Sequence, residues 1–541
     1  MKTKQCTRFG FGGLLLVILG ASCTKKLDLY PVNDVTSEVV YSTPLGYKQS
    51  LAKIYGSMAL TGNVGPAGAA DVFFPGSDEG QNSDFWRTFW KAQELSTDEA
   101  VIAWGDPGVQ DFHNMNWNST NQFLTGCYYK SLYQITLVNE FLRQSTDGKL
   151  SDRGIIGLSA DTIRAYRAEV RFLRAYMYWV LMDLFGNPPF ITENSVIGGP
   201  NPPQTSRSEL FTYVENELKA IETVLPQPKT SDYGRVDRAA AWSLLARMYL
   251  NAKVYTGSEK NNEAITYAKK VIDLPSGYTL VPDYRHLMLA DNNLNSGTTS
   301  APGEFIWTIN YDGQKTQGYG GTTFLTHASL GGSMSAVNAG VDAAWSGLRT
   351  TKALVQKFPD NSGFSDERAQ FYQSGQSLEI LDLTKFTDGF AVTKYRNVTR
   401  GGAPGSDRTF TDIDMPVFRL SEMYFIYAEA VKRGGAGGDV ATAVGYINLM
   451  RERAFNNNSG NISSVDLTLD FILDERAREL YWEGHRRTDL VRYGRFTTAD
   501  YLWPWKGGVA SGTAVESFRN LYPLPASDLN ANRNLVQNPG Y

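Results

Sequence analysis

The sequence predicts a mostly α-helical protein in which helical hairpins carry a loop-rich, ligand-binding face. Three observations predict this. Helix-length apolar segments recur in pairs, at 239–253 with 262–273 and at 419–433 with 439–454. A long stretch rich in Gly, Ser, Thr and Asn, 275–415, separates the two pairs. The chain of 541 residues is 42% hydrophobic and 20% charged, an ordinary globular balance that allows a sizeable core.

The N-terminus reads as an export signal. Lys2, Lys4 and Arg8 form a basic start, and the apolar run from Phe9 to Gly20 is too short to span a bilayer, which takes roughly 20 residues. The run ends Leu19-Gly20-Ala21-Ser22-Cys23, so residues 1–22 are expected to leave and Cys23 to carry a lipid anchor. Cys6 departs with the signal, leaving Cys23 and Cys127, which make no disulfide framework. Several acyl chains on one cysteine give stable attachment where one chain does not. Residues 24 to about 45 are expected to form an extended tether, and 45–59 a helix.

The region 60–118 shows no sustained helical period. Helices are expected at 119–143 and 160–185, the second apolar on most faces and therefore buried, ended by Gly186 and Pro188-Pro189. Another covers 207–225, with Ser208 as its cap. In each later pair a small residue on the first helix (Ala246, Ala428) faces one on the second (Ala264, Ala443). This spacing resembles tetratricopeptide-like units of about 34 residues, placed within about 119–275 and 416–496 of a unit running 23–541. A structureless 275–415 is not expected inside a compact protein, so short strands and packed functional loops are predicted there.

Several function classes are excluded or disfavoured. Net charge is −4, and removing the first 22 residues takes three cations and no acid, leaving −7. Neither value points to nucleic acid or an anionic membrane. The four histidines, His113, His286, His327 and His485, show no metal-ligand spacing, and no nucleophile elbow or P-loop is present. The segment opening at Asp291 starts like a calcium loop and fails at Ser296 and Pro302. No cofactor and no catalytic residue are expected. The densest charge cluster, 474–496, holds Glu475, Glu479 and Glu483, which a glycosidase reading takes as acid/base carboxylates. Interleaved arginines favour a structural network instead, with pairs such as Glu475–Arg478 and Asp489–Arg492. Such pairing keeps the acids ionised, whereas a catalytic acid needs a raised pKa.

Six segments in order carry a family likeness: the signal ending at Cys23, RAYMYWVLMDLFGNPPF, DRAAAWSLLARMYLNAK, MPVFRLSEMYFIYAEA, DERARELYWEGHRRTDLVRYG and the terminal LYPLPASDLNANRNLVQNPGY. Together they resemble the SusD/RagB family over essentially the whole mature chain. The resemblance implies an outer-membrane, surface-exposed lipoprotein with a tetratricopeptide-like α–α superhelix and no catalytic activity. It also implies a polysaccharide ligand, starch or another α-glucan, delivered to a SusC-like TonB-dependent transporter. The alternatives are another glycan or peptides on the same fold, a surface glycoside hydrolase, or a repeat scaffold that binds only protein.

The resemblance also implies a site. The family's starch-binding prototype holds a helical glucan on an arc of two Trp and one Tyr, matched here by Trp104, Tyr319 and Trp345, with polar neighbours matched by Asp78 and Arg87. One position departs. Where the prototype has an Asn shortly after its first Trp, this chain reads Gly105-Asp106-Pro107. Asp106 accepts hydroxyl hydrogen bonds but offers no amide donor.

Overall fold

The computed structural model describes residues 36–66, 69–78, 80, 82–275, 277–295 and 303–541. The signal segment, Cys23 and the tether up to residue 35 lie outside the described residues, as does most of the failed calcium loop. The tether's end is not extended. Ser37–Val40 forms a helical turn and Tyr41 is buried against Tyr47 and Phe141.

The helices stack as consecutive pairs. Pro44–Ala59 starts with proline at its first position, where the missing N–H costs nothing. It lies against Gln122–Gln144. That helix packs on Gly157–Leu184, which packs in turn on Arg207–Ile221. Every residue from Phe172 to Leu184 is buried, which is why this segment reads as apolar all round. Ser206, not Ser208, caps the 207–221 helix. Its hydroxyl accepts from the Glu209 N–H while the Glu209 carboxylate accepts from the Ser206 N–H, a capping box that Ser208 is two residues too late to make.

Arg238–Leu250 pairs with Asn261–Ile272, and Leu420–Lys432 with Val440–Phe455. Ala246, Ala264, Ala428 and Ala443 are all fully buried, as close helix approach requires. The 261–272 helix also lies directly against 420–432. The segment between them is thus an excursion that leaves the helical stack and returns to the next position on it. An antiparallel ribbon of Phe305–Ile309 with Met415–Arg419 ties together the two ends of that excursion. Two shorter pairs, Val101–Ile102 with Leu348–Arg349 and Phe371–Tyr372 with Ala391–Val392, organise its loops.

One ten-residue helix was not legible. Phe85–Glu94 runs through the region that shows no sustained period, with all ten residues buried, Arg87, Lys91 and Glu94 included. Burial on every side mixes polar and apolar positions, so no one-sided stripe forms. Its start is marked by Asp84, whose carboxylate accepts from the Arg87 N–H at 2.7 Å.

The acidic cluster is a buried ion network. Glu475 meets Arg368 at 2.8 Å, Arg451 at 2.6 Å and Arg478. Glu479 meets Arg419 at 2.7 Å, Arg368 at 3.3 Å and Arg453. Glu483 meets Lys394 and Arg419, each at 2.7 Å, and Asp489 meets Arg492 at 2.8 Å. Burial alone would raise these carboxyls, but the surrounding cations hold Glu475 down to about 2 and keep Glu479 and Glu483 below the ordinary range. The spacing of four between Glu475, Glu479 and Glu483 predicts one helix face for all three, but the acids do not share one helix. Leu469–Leu480 ends before Glu483, and the chain turns through Trp482 (φ +66°) before Arg486–Arg492 begins.

Candidate functional site

The 101–102/348–349 pairing brings two distant loops together. Just beyond it, the Ala103 N–H donates to the Gly347 carbonyl at 2.8 Å and the Trp104 indole N–H to the Trp345 carbonyl at 3.0 Å. The indoles of Trp104 and Trp345 stand 6.4 Å apart between centroids, inclined at 44°. Tyr319 extends the row on the other side of Trp345, at 6.2 Å and 53°. All three rings are half-buried. The three rings thus form a row, each tilted against the next, in residues that keep partial exposure.

Local backbone features set these positions. Ser346 follows Trp345 in the left-handed region (φ 52°), unusual for a residue with a side chain. Gly347 comes next, where a Cβ would stand 2.6 Å from the Trp104 ring. Arg349, fully buried, donates to the carbonyls of Gly347, Leu383 and Asp388 and fixes the strand behind the turn. His327, in the helix Gly321–Ala328, lies beneath Trp345, its imidazole 4.6 Å from the indole and nearly parallel at 22°. Phe324, one turn earlier on that helix, contacts Trp104 at 6.0 Å, and Phe410 backs Tyr319 at 5.4 Å.

The polar residues take different stations. Asp78 is exposed, with one carboxylate oxygen accepting from the Gly80 N–H at 2.8 Å. Asp106 is half-buried, in a loop held by Gln110, which donates to the Trp104 carbonyl, and Gln122, which donates to the Pro107 carbonyl. Arg87 is only 3% exposed. Its Nη1 donates to the carbonyls of Gly80 (2.7 Å) and Tyr319 (2.8 Å), and its guanidinium lies over the Phe324 ring at 4.4 Å. Arg87 thus ties the loop carrying Asp78 to the loop carrying Tyr319. Burial draws its pKa down to about 10, against the pull of Asp84, Asp78 and Asp106.

The sequence reading missed the residues behind the rings: Phe324, His327, Gly347 and Phe410. His327 was weighed only for metal spacing, and a ring-supporting histidine leaves no spacing signature. The larger cavities lie elsewhere. One of about 350 Å³ sits between the 44–59 helix and the 305–309 strand, and one of about 450 Å³ lies beside the 371–372 strand. The aromatic row lines neither.

A model described as the SusD family matches residues 368–541, and one described as starch-binding associating with outer membrane matches 73–250. The starch-binding protein SusD of Bacteroides thetaiotaomicron is 37% identical over 588 aligned positions, covering 100% of both chains. This chain belongs to the SusD family. A SusD-like protein of Formosa agariphila is 23% identical and covers 98% of each chain. Among solved structures, a SusD superfamily protein of Bacteroides vulgatus superposes with TM-score 0.69 at 20% identity, over 92% of this chain and 99% of that one. The surface glycan-binding protein A of B. thetaiotaomicron, in complex with laminarihexaose, superposes with TM-score 0.66 at 21% identity, over 91% and 98%. These structures share the helical fold of the SusD superfamily. No described helix is long and apolar enough to cross a membrane.

Proposed function

We propose that this SusD-family protein binds starch or a related α-glucan at the cell surface without catalysing its breakdown, and passes it to a SusC-like TonB-dependent transporter. The observation that carries the reading is the half-exposed row of Trp104, Trp345 and Tyr319, in a chain alignable end to end with a starch-binding relative. A sugar ring has an apolar C–H face, which a flat aromatic face covers, and a hydroxyl rim, which polar groups serve. Asp78 and Asp106 are acceptors for such hydroxyls. Arg87, matched as a ligand contact by the resemblance, is instead buried at 3% exposure with its Nη1 on the Gly80 and Tyr319 carbonyls, so its part is to hold the two loops together.

Three rings at about 1 kcal/mol each and one or two hydrogen bonds at about 1 kcal/mol give about 4–5 kcal/mol. That corresponds to a dissociation constant on the order of 1 mM or somewhat tighter. A grip of this strength suits capture followed by release. Attachment through a lipid on Cys23, after loss of residues 1–22, and residence on the outer face of the outer membrane belong to the same proposal. The charge-paired state of Glu475, Glu479 and Glu483 supports a binder over a hydrolase, because none is poised to donate a proton.

Affinity electrophoresis over a polysaccharide panel tests the reading. Amylopectin is expected to retard the wild type and not Trp104→Ala or Trp345→Ala, with no reducing ends released. Equal retardation of all three proteins would remove the site assignment.

A further inference from the structure

The cavity of about 450 Å³ beside the 371–372 strand lies apart from the aromatic row, and its wall holds Arg285, Arg396, Glu367, Gln370, Phe371 and Tyr372. Arg285 is already committed, pairing with Asp283 at 2.9 Å and with Glu367 at 3.3 Å. Arg396 is not. Its backbone is pinned, because its own N–H donates to the Met288 carbonyl at 3.1 Å and the Asn397 N–H donates to the Ala339 carbonyl at 2.9 Å. Its guanidinium has no hydrogen-bond or ion-pair partner among the described residues, although the residue is half-buried. In a protein where most interior arginines are bonded to carboxylates, this one reaches a concave space from a pinned backbone with its fork unbonded.

We propose that this cavity is a second binding site, separate from the aromatic row, for a small sugar acid whose carboxylate is held by Arg396. The charge, shape and lining favour that class. Arg285 and Glu367 pair across the wall and Asp283 stands behind Arg285, which leaves Arg396 as the one cation of the wall without a bonded carboxylate, and a single fork matches a singly charged carboxylate better than a doubly charged phosphate. The planar guanidinium fits the two carboxylate oxygens side by side. Phe371 and Tyr372, both half-buried, supply an apolar wall for a ring face, and Gln370 supplies an amide for hydroxyls. The volume is within the range of small-ligand pockets, about 300–1,000 Å³, and too small for a polymer coil. Burial, then the neighbouring Arg285, draws the Arg396 pKa down against the pull of Asp283, and an anion in the cavity would act in the same direction as Asp283.

The test titrates the full chain at low ionic strength with sodium glucuronate, glucose and glucose 6-phosphate, followed by calorimetry or saturation-transfer NMR. Glucuronate is expected to bind about tenfold more tightly than glucose, the scale of one charge-assisted contact. Arg396→Gln is expected to lose that advantage, Arg396→Lys to keep only part of it, and Trp345→Ala to leave it unchanged. Retained amylopectin retardation shows that the Arg396 variants are folded. The proposal is overturned if glucuronate binds no better than glucose, if Arg396→Gln binds it as well as the wild type, or if Trp345→Ala abolishes it. Tighter binding of glucose 6-phosphate than of glucuronate would overturn the carboxylate assignment.

Discussion

Replacing Trp345 with alanine removes the middle ring of the row, flanked by Trp104 at 6.4 Å and Tyr319 at 6.2 Å. The backbone carbonyl that receives the Trp104 indole N–H remains, so Trp104 keeps its anchor. What disappears is one stacking face, about 1 kcal/mol, and with it the continuity between the outer rings. The direct term alone weakens binding about fivefold. Broken continuity adds to it, so a dissociation constant near 1 mM moves to about 5 mM or beyond. Isothermal titration with a malto-oligosaccharide measures the change, and a thermal melt confirms the fold. Trp345→Phe keeps a flat ring and is expected to retain most of the affinity. Trp505 is also half-buried but bonds to the Ile380 carbonyl in a loop of its own, so Trp505→Ala serves as a control that leaves binding intact. A folded Trp345→Ala that binds like the wild type would refute the reasoning, as would an equal loss in Trp505→Ala.

Three further outcomes are expected. Gly347→Ala forces a methyl to within 2.6 Å of the Trp104 ring, so titration should show weaker glucan binding although no aromatic residue has been removed. Glu479→Gln leaves Arg368, Arg419 and Arg453 short of a buried counter-charge and should cost about 3–5 kcal/mol, read as a lower denaturation midpoint. The contribution of three buried acids to stability should fall from pH 5.5 to pH 8. Burial pushes Asp414 up to about 7 and also raises Glu94 and Glu99, which lie beside each other, so between the ordinary carboxyl value and about 7 these three groups hold more protons in the folded chain than in the unfolded one. That contribution is complete at low pH and is lost as the pH climbs through 7. The melting midpoint of Glu99→Gln should gain on that of the wild type as the pH climbs through 7, and a difference that stays constant over this interval would contradict the assignment.

The helical scaffold was legible because its signals are local and periodic. Ala246 with Ala264 and Ala428 with Ala443 mark the hairpins, and the structure buries all four. The ion pairs Glu475–Arg478 and Asp489–Arg492 follow from helical spacing alone. The 85–94 helix was not legible, since burial on all sides erases the stripe that periodicity detects. The turn at Trp482 was missed for a related reason: a charge spacing of four says nothing about a positive φ between two short helices. At the site, the resemblance supplied Trp104, Tyr319 and Trp345. The pairing of 101–102 with 348–349, which makes the two indoles neighbours, joins strands of only two residues each, and no pattern that short identifies its partner.

The excursion that departs after the 261–272 helix and returns at 420–432 starts and finishes at neighbouring points on the stack. The entropy lost in joining such ends grows only with the logarithm of the intervening length. Lineages are therefore free to insert, delete or rewrite residues along that detour with little harm to the framework. Choice of cargo and mechanical support become partly separable traits: Tyr319 and Trp345 ride on the detour and can change with it, whereas Trp104, Asp78 and Asp106 stay in the loop region between the 44–59 and 122–144 helices of the stack.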